Sequence, residues 1–395
     1  MFKPTNHICP NCDASNMFIF YEVRDVPINS CLMFLSEAEA KNFPRGDVIL
    51  AFCRNCGFIS NIAFDQSKVD YANLAPEEQG FSATFNAYAQ RLANRLIETY
   101  NLRNKSISEI GCGRGDFLAL VCKLGDNYGV GIDPSSVSGI ITDSAPARLN
   151  FIHDYYSERY AKYLGNFVCC RHTLEHIPNT FDFITSVRSA LTNEDAHVFF
   201  EVPDVSRILH EVAFWDIYYE HCSYFNLGSL ARLFRSSKFE ITNLMKDYFD
   251  QYLLIEAKPV SGKSNKVYET EESVEETEKS VKIFSAQSRS KIDQWKSELK
   301  IIKSDKKKTI VWGSGSKCVA FMTTLGVKDE IKYIVDINPH RHGKFIPGVG
   351  KQIVPPEFLK KYKPDIVIVM NPVYCNEIKR DLETMGVAAE LIPCV

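Results

Sequence analysis

The chain has 395 residues, more than one hydrophobic core accommodates, so two or three compact units are expected. With 45% hydrophobic and 24% charged residues and a formal charge of -3, it is globular in composition and offers no general attraction for a phosphate backbone. A nucleic-acid partner is therefore not expected. No apolar run approaches the roughly 20 residues that cross a bilayer, and "MFKPTNHICPNC" is not a secretory segment, so a soluble, cytoplasmic protein is expected. Its 13 cysteines, an odd number, point in that setting to thiols and a metal rather than to disulfides.

In chain order, the first signal is "CPNC" (Cys9, Cys12) answered by "CRNC" (Cys53, Cys56). Two such knuckles turn four soft thiolates toward one ion, the donor set of a closed structural zinc site. The 40 residues between them require an inserted hairpin or loop. A zinc-binding module over 1–72 follows. "GFSATFNAYAQRLANRLIETYN" repeats apolar residues at helical spacing and opens a second unit, 73–260. Within it "SISEIG", "YGVGID", "LNFIHD", "NFVCCRH" and "HVFFEVP" alternate with helix-length segments, the pattern of a parallel sheet covered on both faces. "FEITNLMKDY" and "DQYLLIEAKP" lie too close together for a helical crossover and close that sheet as an antiparallel pair. Residues 261–307, rich in Glu, Lys and Ser, read as a long solvated helical linker. A smaller α/β unit over 308–395 carries strands at "KTIVWGSGSK", "IKYIVDINP" and "PDIVIVMNP".

"SEIGCGRGDF" places Gly111, Gly113 and Gly115 between a strand and a helix start, where backbone approaches a ligand closely and free N–H groups face an anion. A dinucleotide site uses the same turn, and Asp133, ending the second strand, suits a ribose hydroxyl pair in either case. Glu109, before the turn, is placed to hold an amino-acid ammonium, and Asp154, ending the third strand, to accept from an adenine amino group. With the terminal hairpin, these features make the unit resemble a class I S-adenosylmethionine-dependent methyltransferase, a Rossmann-like α/β fold. The resemblance implies S-adenosylmethionine held by Glu109, Gly111, Gly113, Asp133, Asp154 and His172.

The knuckles, "EIGCGRGDF", "LEHIP", "EVPD", "YYEHCSYF", "VDINPHRHGKFIPG" and "IVPPE" occur in the order seen in the C-methyltransferases of deoxysugar biosynthesis, and the chain resembles that family over nearly its whole length. The resemblance implies a nucleotide-linked keto sugar as substrate, methylated on a carbon beside the carbonyl, with Tyr218, Glu220 and His221 over the methyl donor. Such chemistry needs a base for the carbon-bound proton and a donor for the oxyanion. His221 suits the base and Tyr218 the donor, Glu220 orients the histidine or binds a sugar hydroxyl, and His176 in "LEHIP" is an alternative acid or base. Packing of Tyr218, Tyr219, Tyr224 and Phe225 on the sheet is the competing reading, and Tyr71 is open between an active-site and a packing role. "VWGSGSK" with Asp336 reads either as a second nucleotide site or, as the resemblance implies, as a Rossmann-like domain without a redox cofactor that helps bind the substrate. Another small metabolite as methyl acceptor, or an RNA-modifying zinc protein, are the alternatives.

Overall fold

The structure, a computed structural model, describes residues 3–15, 17–72, 80–136, 148–193, 195–262 and 264–395. The expected boundary at 72/73 lies at the edge of the described residues.

Strands β1 (Lys3–Thr5), β2 (Met17–Pro27), β3 (Arg45–Cys53) and β4 (Ile59–Asn61) form an antiparallel meander. The insert between the knuckles is the β2/β3 pair with helix α1 (Glu37–Lys41) at its connection, capped by the Ser36 side chain. Helix α2 (Ala83–Tyr100) buries Tyr88, Leu92, Ala93, Leu96 and Ile97 on one stripe and stops at Asn101 in the left-handed region.

Next come β5 (Ser106–Ile110), α3 (Asp116–Gly125), β6 (Tyr128–Ile132), β7 (Leu149–Ile152), β8 (Phe167–Arg171), α4 (Thr180–Ala190) and β9 (His197–Pro203), with all five strands parallel. After α5 (Val205–Glu211) the chain leaves this sheet, and β10 (Ser223–Tyr224) pairs antiparallel with β4 of the first one. Helix α6 (Leu227–Ser236) leads back to β11 (Phe239–Asp247) and β12 (Tyr252–Pro259), which add antiparallel to β9. The sheet order is β11-β12-β9-β8-β5-β6-β7. Its order reverses between β5 and β8, the switch point where open α/β sheets bind ligands beyond the strands' carboxyl ends.

Helix α7 (Val274–Ser304) starts with a Ser273/Glu276 capping box. It is not the solvated linker that its composition suggests. Its sparse apolar residues form one stripe, and Val281, Phe284, Trp295, Leu299 and Ile302 are buried in a core shared with β2 and α8 (Ser316–Leu325). Strands β13 (Thr309–Trp312), β14 (Tyr333–Val335), β15 (Gln352–Val354), β16 (Ile366–Val369) and β17 (Glu390–Pro393) form an all-parallel sheet in the order β15-β14-β13-β16-β17. Strands β15 and β17, at three and four residues, are too short to stand out in the sequence.

Trp295 of α7 meets Phe321 of α8 edge to face at 5.1 Å and Trp215 at 6.5 Å. Replacing Trp295 by Ala is expected to cost about 3–5 kcal/mol in denaturant unfolding, the scale for a deleted buried aromatic. A loss under about 0.5 kcal/mol, usual for an exposed position, would restore the solvated reading.

Candidate active site and metal centre

The turn after β5 holds Gly111, Gly113 and Gly115 at φ 71°, 52° and 80°, in the left-handed region that favours glycine. A Cβ on Gly111 would stand 1.9 Å from Thr173 Oγ1. Asp133 caps this turn: its Oδ2 accepts from the Gly113 N–H at 2.9 Å and its Oδ1 from Ser135 N–H at 2.7 Å. Glu109 lies beneath, and one of its carboxylate oxygens is buried without a partner among the described residues. Burial, opposed by Arg171, raises its pKa to about 8. Asp154 accepts from the Tyr155 N–H at 2.8 Å and from the Tyr160 hydroxyl, and pairs with Arg159.

Across the switch point, Arg171 forks onto Glu201, with Nη2 2.9 Å from Oε1. His172, left-handed at φ 49°, places Nε2 2.7 Å from Glu201 Oε1 and Nδ1 3.5 Å from Glu175. Burial alone would lower the His172 pKa, but the two carboxylates overcome it and raise it to about 9. Thr173 donates back to the Gly111 carbonyl at 3.4 Å, so the segment carrying "LEHIP" is tied to the glycine turn.

That segment brings His176 to His221, ring centroids 4.8 Å apart and nearly perpendicular. His176 Nδ1 meets the Glu220 carbonyl at 3.0 Å and the Tyr71 hydroxyl at 3.2 Å, which leaves Nε2 without a hydrogen bond among the described residues. Burial, with the neighbouring His176, lowers the His221 pKa to about 3, so its imidazole is neutral at pH 7. Tyr218 packs edge to face on His221 at 4.5 Å and donates its hydroxyl hydrogen to Asp216. The Glu220 carboxylate turns away from the histidines and accepts from the N–H of Ser30 at 2.9 Å and from its hydroxyl. What orients a histidine is the Glu220 carbonyl, and the histidine it orients is His176. Tyr219 is core: it is buried, and its hydroxyl accepts from the Asp65 N–H at 2.9 Å.

Glu175, Asp216, Ser30 and Lys317 escaped the sequence reading. Glu175, Asp216 and Lys317 sit inside the quoted motifs or two residues before them, but nothing local marks Ser30 or ties Lys317, the last residue of "VWGSGSK", to this site. Donor atoms of Glu175, His176 and His221 lie within 4.8 Å of one another, although a metal there would compete with the His172 imidazolium for the Glu175 charge. Asp336 accepts from Ser314 N–H at 2.9 Å, the Ser314 hydroxyl at 2.5 Å and Asn338 N–H at 2.8 Å, with Arg341 Nη1 at 3.6 Å.

The four knuckle sulfurs also lie within 4.8 Å of one another, with Cys9 to Cys56 and Cys12 to Cys53 both at 3.7 Å. Zinc–sulfur bonds of about 2.3 Å at tetrahedral angles require about 3.8 Å, so this set fits zinc. Each knuckle ends on a left-handed residue, Asp13 or Gly57, whose N–H returns to the first cysteine's carbonyl at 2.9 Å.

Residues 82–244 match a family model described as a methyltransferase domain, and residues 254–392 match the C-methyltransferase C-terminal domain. The chain is an S-adenosylmethionine-dependent methyltransferase that carries both of these domains. Among its relatives, the C-methyltransferase NovU of Streptomyces niveus is 25% identical over 305 residues, 74% of this chain and 72% of that one. Two solved structures are similar. One is the Burkholderia thailandensis 1,6-didemethyltoxoflavin N1-methyltransferase with S-adenosylhomocysteine bound, 16% identical over 46% of this chain and 83% of that chain, with a TM-score of 0.35. The other is the Synechocystis magnesium protoporphyrin IX methyltransferase, 14% identical over 45% and 84%, with a TM-score of 0.34. Among the described residues of this methyltransferase no helix is long and apolar enough to cross a membrane. The orphaned Glu109 oxygen, beneath a turn whose glycines are left-handed, fits a donor that carries an ammonium group.

A histidine pKa raised on folding stabilises fully below the unfolded value near 6.5 and loses that contribution as pH rises through about 9. The stability gap between the wild type and His172→Gln should therefore shrink from pH 7 to pH 10 in urea titrations. A gap independent of pH would refute the charged pair.

Proposed function

We propose that this methyltransferase alkylates a carbon beside the carbonyl of a nucleotide-linked keto sugar, in the cytoplasm, with the pair His176 and His221 handling the proton. The observation that carries the reading is this perpendicular pair at the carboxyl rim of the sheet, tied through Thr173 to the glycine turn. His221 is neutral and, among the described residues, its ring nitrogens accept no hydrogen bond; the burial that keeps it neutral also weakens it as a base, so the negative charge developing on the substrate oxygen must raise its proton affinity as it takes the carbon-bound proton. His176, with Nδ1 committed to the Glu220 carbonyl, presents Nε2 as a second proton carrier. Tyr71 reaches the same histidine and joins the site. Tyr218 is the oxyanion donor; its hydrogen rests on Asp216 and must swing to the substrate oxygen as charge develops. Glu220, buried and raised in pKa chiefly by desolvation, anchors the loop to Ser30 and turns no charge on the substrate.

S-Adenosylmethionine supplies an electrophilic methyl group to the carbanion so formed. Glu109 would take its ammonium, Gly111 and Gly113 would line it, Asp133 would meet the ribose and Asp154 the adenine. His172 backs this wall through Glu201. Zinc on Cys9, Cys12, Cys53 and Cys56 is structural, since four thiolates leave no open position. The work is divided among the zinc module 1–72, the methyltransferase domain 73–260, the packed helix within 261–307 and the substrate-covering domain 308–395.

His221→Asn is expected to lower turnover about 100-fold or more while leaving S-adenosylmethionine affinity unchanged. A keto-sugar nucleotide should gain one methyl by mass with the wild type. Normal turnover by the variant, or no methylation across a panel of such nucleotides, would reject the proposal.

Replacing Cys53 and Cys56 with Ser should remove about one equivalent of zinc from the purified protein in metal analysis. A wild type that carries none would contradict the metal assignment.

A further inference from the structure

Asp216, two residues before Tyr218, is a buried carboxylate that three groups share. Tyr218 donates its hydroxyl to Oδ1, while Arg207 and Lys317 both reach Oδ2, Lys317 Nζ at 2.9 Å. Arg207 comes from α5, but Lys317 comes from the first turn of α8 in the C-terminal sheet's layer. The same ammonium donates to Gln251 Oε1 at 3.3 Å. Gln251, just before β12, exchanges a reciprocal pair of amide hydrogen bonds with Asn371, both at 3.0 Å. The segment bearing Asp216 rests on α8 as well: Phe214 stacks on Phe321 with centroids 6.2 Å apart and planes 12° from parallel.

We propose that Lys317 is a positioning residue for Tyr218, and that through it the C-terminal sheet is a working part of the methyl-transfer site rather than only a cover. The inference rests on the oxyanion role given to Tyr218 above. Tyr218 has one hydroxyl hydrogen, and Asp216 holds it. An uncompensated buried carboxylate would keep it there, because a charged acceptor binds a phenol more strongly than a neutral one does. Two cations on the other carboxylate oxygen withdraw that charge, so the hydrogen can turn to the substrate when negative charge appears on its oxygen. Removing Lys317 leaves Arg207 paired with Asp216, which keeps the carboxylate compensated enough to fold and tightens its hold on Tyr218.

Lys317→Met should lower kcat about 10-fold or more, a fraction of the loss expected for an oxyanion donor itself, with KM and S-adenosylmethionine affinity unchanged. Lys317→Arg should recover most of the rate. With 3-fluorotyrosine placed at position 218 in the full chain, the fluorine resonance should move in Lys317→Met and return in Lys317→Arg. If the Met variant does not fold, Lys317→Gln carries the same comparison, since it keeps the contact and removes the charge. A rise in KM at constant kcat, or an unmoved fluorine signal, would overturn the proposal by reducing Lys317 to a substrate-binding or packing residue. If the signal moves while Tyr218→Phe turns over normally, the positioning stands and the oxyanion role of Tyr218 fails.

Discussion

The site depends on one short strand pairing. Ser223 and Tyr224 add to β4 opposite Ser60 and Ile59, although the chain on either side belongs to the other sheet. On leaving β10 the chain is pulled back at once, since Phe225 bridges Asp204 and its carbonyl accepts from the Val205 N–H at 2.8 Å. Tyr218 to His221 are thereby held at the seam between two sheets, with α8 and Trp295 of α7 supporting the approach through Phe214 and Trp215. No single unit carries both this cluster and the groups that hold it.

The same seam explains where the knuckle module matters. The Pro10 carbonyl accepts from the Phe181 N–H and the Thr180 hydroxyl, both at 3.2 Å, at the start of α4, a few residues after His176. The Ser223 hydroxyl donates to the Ile177 carbonyl at 2.7 Å from the other side. The four-sulfur cluster therefore fixes the segment that carries one of the two histidines. Ordering a small module around such a cluster is inexpensive once the ion is bound, because metal binding and folding are one equilibrium.

Most of the charges buried around the site are paired. Glu201 has Arg171 and His172, Asp216 has Arg207 and Lys317, and Asp204 has Lys246 at 2.7 Å. Glu109 and Glu220 are the exceptions, each with a raised pKa and one orphaned oxygen among the described residues; at Glu109, beside the glycine turn, a cationic ligand group would complete the set. Left-handed His172 is a strained residue held by the same carboxylates, as strained residues at functional sites usually are. Much of this was legible in the sequence, because it is local: paired knuckles, glycines at a strand-to-helix turn, alternation of strands, and an aromatic cluster with a histidine. What escaped is long-range. The residues that pair with β10 lie far back in the chain, Ser30 reaches Glu220 from the first sheet, and Lys317 reaches Asp216 from the last. Helix α7 misled for a different reason, since a narrow apolar stripe on a charged helix gives a low average hydrophobicity even when that stripe is buried.

The central claim is that the histidine pair removes a carbon-bound proton before methyl transfer. It is tested most directly by solvent exchange, with the enzyme, a keto-sugar nucleotide and S-adenosylhomocysteine in deuterated water followed by mass spectrometry and proton NMR. Deuterium should enter at the carbon beside the carbonyl with the wild type, and His221→Asn should abolish or strongly slow its entry. Incorporation at the wild-type rate by that variant, or none by a wild type that methylates the same nucleotide, would contradict the account.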